Sequence, residues 1–294
     1  MFEGFSDKRI EVSDGLSLRA RLAGSGPPVL LLHGYPQTHH CWHKVAPQLV
    51  QAGYTVVLSD LRGYGDSDKP VSSANHETYS KRAMAADQAA LMARLGFSRF
   101  SVAGHDRGGR VAHRLGLDYP EAVERMAVLD IAPTATMYER TNKEFATGYY
   151  HWFFLIQPAP LPERLIGADP SFYLLSKLAA WSKGNTAAFS EAAVAEYIRC
   201  FSDAACIAAT CEDYRAAASI DLAHDAEDKD KRLEMPLLAL WGAKGLVGKL
   251  YDVLETWREK AAHVEGAALA CGHYLPEEVP DETAAALIRF FRGG

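Results

Sequence analysis

The chain has 294 residues, of which 48% are hydrophobic, 23% charged and 10% aromatic. Those ordinary globular proportions exclude collagen-like, coiled-coil and disordered classes. Its 31 Lys and Arg against 37 Asp and Glu leave a net charge of −6, a poor match to a nucleic-acid backbone, although a local basic pocket for a small anion stays open.

The first residues, Met1 to Arg9, carry an acid at the third position and no apolar run, which argues against a signal peptide. The most apolar windows, Val29–Leu32 and Phe153–Ile156, are far short of a membrane span, so a soluble cytoplasmic protein is expected, with no membrane partner. Cys41, Cys200, Cys206, Cys211 and Cys271 form no CxxC pair; reduced, buried thiols fit better than a disulfide framework or zinc ribbon.

In chain order, Lys8–Val12 and Leu16–Leu22 alternate like an antiparallel pair turning at Asp14-Gly15. Val29–Leu32, Thr55–Leu58, Phe100–Ala103, Met126–Leu129 and Pro236–Trp241 are near-continuous apolar runs, as parallel strands covered on both faces require. Ala83–Leu95 and Gly108–Tyr119 carry apolar residues at helical spacing, and a last helix is expected over about Pro280 to Phe291. This alternation is the α/β pattern. From Pro133 to Lys231 strand-like runs stop and the chain becomes helical and Ala-rich, ending in the charge run Asp225–Arg232, which reads as a solvated return loop. The expected organisation is therefore one sheet domain, 1–133 and 232–294, interrupted by a helical cap over 134–231.

The most informative stretch is Gly104-His105-Asp106-Arg107-Gly108, between an apolar strand and a helix. Small residues two before and two after a central acid make a nucleophile elbow, a turn so tight that larger side chains would collide. The elbow holds Asp, not Ser. A carboxylate at the positive end of a helix stays ionised and can attack carbon without a general base. A phosphate-binding turn is the alternative, but neither GxGxxG nor GxxxxGK is present.

His33-Gly34-Tyr35-Pro36 follows the third strand, where elbow enzymes place one oxyanion-hole N–H, so the amides of Tyr35 and Arg107 are the candidate pair. His273, in Cys271-Gly272-His273-Tyr274, is the histidine placed after the last strand and before the final helix, and reads as the base. No carboxylate follows Trp241-Gly242 closely, whereas Asp130 follows the sixth strand, so Asp130 is the acid expected to orient His273. His39 and His43, four apart on an expected helix, could ligate a metal, but read better as ordinary helix surface with His40; Asp60–Ser67 reads as a bracing loop.

On these residues the chain resembles the fluoroacetate (haloacetate) dehalogenases of the α/β-hydrolase superfamily, over nearly its whole length. The resemblance implies an α/β-hydrolase fold: a mostly parallel eight-stranded sheet with a helical cap after strand six. Haloalkane dehalogenases and epoxide hydrolases share the Asp elbow but typically carry Trp after it. Here Arg107 follows, with Arg110 one helical turn on, and two guanidiniums suit bidentate recognition of a substrate carboxylate. His151 and Trp152 match the family's halide-binding segment and Tyr214 its third member; Trp181 resembles a cap residue near the entrance. Tyr35 stands where relatives often have Phe, which adds a hydroxyl near the oxyanion hole. The activity implied is hydrolysis of fluoroacetate to glycolate and fluoride through an ester on Asp106. No cofactor or metal is implied, the partner is a small haloacid, and the assembly is a homodimer. Two other readings stay open: an epoxide hydrolase, which has no use for the arginine pair, and a non-catalytic receptor for a small carboxylate.

Overall fold

The computed structural model describes residues 1–293. Eight strands form one sheet: β1 (Ser6–Ser13), β2 (Leu16–Ala23), β3 (Pro28–Leu32), β4 (Thr55–Ser59), β5 (Phe100–His105), β6 (Val123–Leu129), β7 (Leu237–Gly242) and β8 (Val264–Leu269). Their order is β1-β2-β4-β3-β5-β6-β7-β8. The β1–β2 and β2–β4 pairs are antiparallel and every later pair is parallel. The expected mostly parallel eight-stranded sheet is therefore present.

The central strands explain their own composition. Val29 to Leu32 on β3 and Val56 to Leu58 on β4 are wholly buried, each side chain removing enough apolar surface from water to favour folding by about 1.5–3 kcal/mol. The Arg107–Asp118 helix packs on β3, β5 and β6, and the Lys81–Arg94 helix lies against it. Strand β8, Val-Glu-Gly-Ala-Ala-Leu, carries neither a run of large apolar residues nor the alternation of β1 and β2. It forms the sheet edge opposite β1, and its residues are only half-buried or exposed.

Strand order sets the location of the site. The chain runs from β3 outward to β4, then crosses back to place β5 on the other side of β3. At such a reversal the loops leaving the two strands part and open a crevice at their carboxyl ends. Gly34-Tyr35 leaves β3 and Asp106 leaves β5 at this point, with Asp130 just after β6 and His273 in the loop after β8.

Between β6 and β7 the described chain is helical, eight α-helices from Thr134–Glu139 to Ile220–Glu227. Two expectations need correction. The Asp225–Arg232 run begins inside the last of these helices, and Asp228 is tied to Arg114 at 2.6 Å and Arg82 at 3.1 Å, so it anchors the return instead of being merely solvated. His39 and His40 are not surface residues: both are buried in a short His39–Trp42 turn, where His39 Nδ1 meets Asp60 Oδ1 at 2.8 Å. The sequence gives no sign of that pairing because Asp60 arrives from β4. All five cysteines are buried and unpaired, and no described helix is long and apolar enough to cross a membrane.

Candidate active site

The turn after β5 is built by exclusion. A Cβ on Gly104 would lie 2.3 Å from the Gly108 carbonyl oxygen, and one on Gly108 would lie 2.5 Å from the His33 carbonyl oxygen. With both sides stripped to hydrogen, the chain can reverse into the Arg107–Asp118 helix within a single residue. Asp106 takes that bend at φ 47° and ψ −114°, a conformation that costs on the order of 1–3 kcal/mol outside glycine.

The Asp106 carboxylate is nearly buried, and its Oδ1 accepts a 2.9 Å hydrogen bond from the Tyr35 backbone N–H. Burial pushes its pKa up, but His273, Arg110, His105 and Arg107 outweigh that and bring it down to about 2. The group is therefore an anion at any physiological pH. Of the two amides expected to frame an oxyanion, Tyr35 thus already points at this carboxylate. The described hydrogen bonds include none from the Arg107 N–H to it.

His273 Nε2 stands 3.9 Å from Asp106 Oδ2 and has no hydrogen-bond partner, while Nδ1 donates to Asp130 Oδ2 at 2.6 Å. Asp130, at φ 52°, is held in turn by the Gly242 N–H on Oδ1 at 2.9 Å. Burial disfavours the His273 imidazolium, yet Asp130 and Asp106 outweigh it and raise the pKa above the ordinary histidine value. The sequence did not point to His105 as a support. Burial and the His273 charge hold it at about 3, so it is neutral, and its Nε2 donates to the His273 carbonyl at 2.8 Å. The three residues form a carboxylate, an imidazole with one open nitrogen, and a second carboxylate fixing the tautomer. Such a chain can activate a water beside the first carboxylate.

Both arginines are buried next to this chain, with most of their donors already committed to partners in the protein. Arg107 already spends its Nε and Nη2 on Asp213, at 2.9 Å to Oδ2 and 2.6 Å to Oδ1, and a further 2.9 Å bond reaches the Asp213 carbonyl. Arg110 Nη1 donates to the Ala132 carbonyl at 3.1 Å and Thr134 Oγ1 at 3.0 Å, and Nη2 sits 3.2 Å from Met137 Sδ. What remains is one buried unpartnered nitrogen on each, Arg107 Nη1 and Arg110 Nε. Asp213 lies 106 residues from Arg107 in sequence, and no spacing rule could have joined them.

The expected halogen-side residues come together. The His151 ring lies 5.4 Å from that of Tyr214 and 4.6 Å from that of Trp181, and the Trp152 ring lies 6.3 Å from that of Tyr214. Tyr35 stacks parallel to His151 at 6.0 Å. Trp181 also reaches the His273 ring at 5.4 Å, which joins this cluster to the Asp130–His273 pair. Burial and the nearby Lys177 charge push His151 well below the histidine range, so its ring is neutral; burial and Asp106 raise Tyr214, so its phenol keeps its proton. His151 Nδ1 and the Tyr214 and Tyr35 hydroxyls are buried without partners. These are neutral groups suited to a small, charge-developing atom. Among the described residues no group of three or more His, Cys, Asp or Glu side chains is gathered as a metal would need.

Known proteins resemble this chain in sequence and in fold. The family model for the alpha/beta hydrolase fold matches residues 27–280. A fluoroacetate dehalogenase from Burkholderia sp is 44% identical over 99% of this chain and 95% of its own length. A soluble epoxide hydrolase from Corynebacterium sp. (strain C12) is 35% identical over 95% of this chain and 94% of its own. Among solved structures, one described as an alpha/beta hydrolase from Nostoc sp PCC 7120 superposes with a TM-score of 0.98 at 55% identity, covering 100% of both chains.

Proposed function

Because this chain belongs to the fluoroacetate dehalogenase family of the α/β-hydrolase superfamily, we propose that it hydrolyses haloacetates, fluoroacetate among them, to glycolate and halide. A carboxylate oxygen of Asp106 attacks the α-carbon from the side opposite the halogen. The new C–O bond forms as the C–F bond breaks, and fluoride leaves with the bonding pair. The neutral donors of His151, Trp152 and Tyr214 receive that charge as it develops, which lowers the barrier more than it stabilises the bound substrate. Arg107 Nη1 and Arg110 Nε, the two buried nitrogens without a partner, take the substrate carboxylate.

The second half hydrolyses the ester. His273 Nε2 removes a proton from water, Asp130 balances the imidazolium, and the hydroxide adds to the Asp106 carbonyl carbon. The Tyr35 amide, joined by that of Arg107, holds the oxyanion until the C–O bond to glycolate breaks. The glycolate oxygen takes the proton back from His273, and the Asp106 carboxyl releases its own proton to solvent as the carboxylate returns. Ester formation itself prepares this step. It cancels the Asp106 charge that helps raise the His273 pKa, so the imidazolium is favoured less when a base is required.

The observation that carries the reading is the open His273 Nε2, backed by Asp130 at 2.6 Å and 3.9 Å from an ionised carboxylate on a strained turn. The helical segment 134–231 acts as the cap that supplies the halogen side of the pocket and excludes water. The homodimer and the cytoplasmic setting belong to the same proposal. They are supported by the family, by exposed Leu161, Leu165 and Phe172 on the cap, and by five unpaired cysteines. An epoxide hydrolase draws support from the Corynebacterium relative and from the protonated Tyr214, which could protonate a ring oxygen. It leaves the two buried arginines without a task. A fluoride-selective electrode separates the two: fluoroacetate should release fluoride in step with glycolate, and styrene oxide should give no diol. Diol without fluoride would reverse the assignment.

A further inference from the structure

An arginine carries five N–H donors in a rigid plane, and where they point is fixed by whatever holds one edge of it. For Arg107 that holder is Asp213, through the Nε–Nη2 edge and a main-chain bond. The guanidinium carbon also lies over the Tyr214 ring, 4.2 Å from its centre. Asp213 has no freedom of its own. Its Oδ2 accepts a 2.7 Å hydrogen bond from the Tyr64 hydroxyl, its Oδ1 receives the Lys81 ammonium, and the side chain is wholly buried.

The charges around this cluster balance. Arg107 and Lys81 face Asp213 and Asp221, whose Oδ2 lies 3.6 Å from Lys81 Nζ. The partners of Arg110 are all neutral: a carbonyl, a hydroxyl and a thioether. The two arginines are therefore unequal. Arg110 has no hydrogen-bonded carboxylate and its charge acts on Asp106 from a distance, whereas Arg107 is paired directly with a carboxylate in a fixed orientation.

We propose that Asp213 is a positioning residue, which holds Arg107 by one edge so that its unpartnered Nη1 amino group is aimed at the substrate carboxylate, and which seats Tyr214 beneath the same guanidinium. The inference rests on the haloacid reading above. It makes a sharp prediction because charge and geometry pull in opposite directions. Removing the Asp213 charge frees the Arg107 charge and would tighten anion binding if charge alone mattered; if orientation matters, anion binding weakens.

The test compares wild type, Asp213→Asn and Tyr64→Phe, using fluoroacetate turnover and the binding of glycolate against glycolamide, which differ only in the carboxylate. Asp213→Asn should lower kcat/KM and glycolate affinity by about 30-fold or more, the lower end of the cost of truncating one member of a buried charge pair. Glycolamide affinity should stay within about 3-fold, because the amide makes less use of that amino group. Unchanged or tighter glycolate binding overturns the proposal, and so does equal weakening of acid and amide, which would mean a merely structural role. If the Asn variant does not fold, Tyr64→Phe decides: it removes one bond from Asp213 Oδ2 and should lower acid-over-amide selectivity about 3-fold, a change of roughly one neutral hydrogen bond's net worth. Unchanged selectivity there overturns the proposal. If wild type releases no fluoride, the haloacid reading fails by itself. Asp213 is then judged on the ¹⁵N-labelled Arg107 Nε–H signal, assigned by its loss in Arg107→Lys. That signal should be protected from solvent exchange in wild type and less protected in Tyr64→Phe; a signal unprotected in wild type refutes the clamp.

Discussion

At the residue scale, the site rests on one charge acting on another. Asp106 is held ionised by its neighbours, and its negative charge in turn raises His273. Neutralising Asp106 should therefore lower the His273 pKa. In Asp106→Asn the midpoint of the His273 ring titration, followed by NMR, should fall below the wild-type value. A midpoint that stays or rises would mean Asp106 does not act on His273. The sign fits the proposed chemistry, in which His273 acts as a base and must be neutral to do so, since a lower pKa leaves it neutral over more of the pH range. Most of these residues were legible in the sequence because each follows a strand end: Asp106 after β5, Asp130 after β6, His273 after β8. His105 and Asp213 were not. The first acts through a carbonyl 168 residues away and the second through a guanidinium 106 residues away, and only the folded chain brings such partners together.

At the element scale, the turn after β5 is held open by what its glycines lack. Gly104→Ala places a methyl against the Gly108 carbonyl at 2.3 Å, with backbone on every side and no flexible side chain to move aside. The expected loss is about 3 kcal/mol of stability, at the upper end of ordinary overpacking, read as a lower denaturant midpoint with an unchanged slope. A loss below about 0.5 kcal/mol, the range of neutral surface changes, would show that the turn has slack. The same physics made the elbow readable, since only two glycines at that spacing permit it. The buried strands were readable for a related reason: two covered faces leave no polar positions, as in Val29 to Leu32. Strand β8 was not, because an edge strand with half-exposed residues needs no apolar run. The His39–Trp42 turn misled for the converse reason: buried histidines satisfied by Asp60 have the same letters as exposed ones.

At the scale of the whole molecule, the site is assembled from two parts of the chain that meet across its roof. The turns after β5, β6 and β8 supply Asp106, Asp130 and His273, the Arg107–Asp118 helix supplies both arginines, and the helices between β6 and β7 supply His151, Trp152, Trp181 and Tyr214. Buried polar links join the two on different sides: Asp213 to Arg107, Lys81 and Tyr64, and Tyr197 to Glu277, whose carboxyl burial raises to about 8. In the proposed reaction these fixed donors surround a small anion and Asp106 acts on it. The central claim, that Asp106 itself bonds to the substrate carbon, is tested most directly by one turnover of excess enzyme with fluoroacetate in ¹⁸O-labelled water. The account predicts glycolate whose new hydroxyl carries ordinary oxygen, with the label appearing in the peptide that contains Asp106. Label entering the glycolate hydroxyl in that first turnover, with none in the peptide, would contradict it.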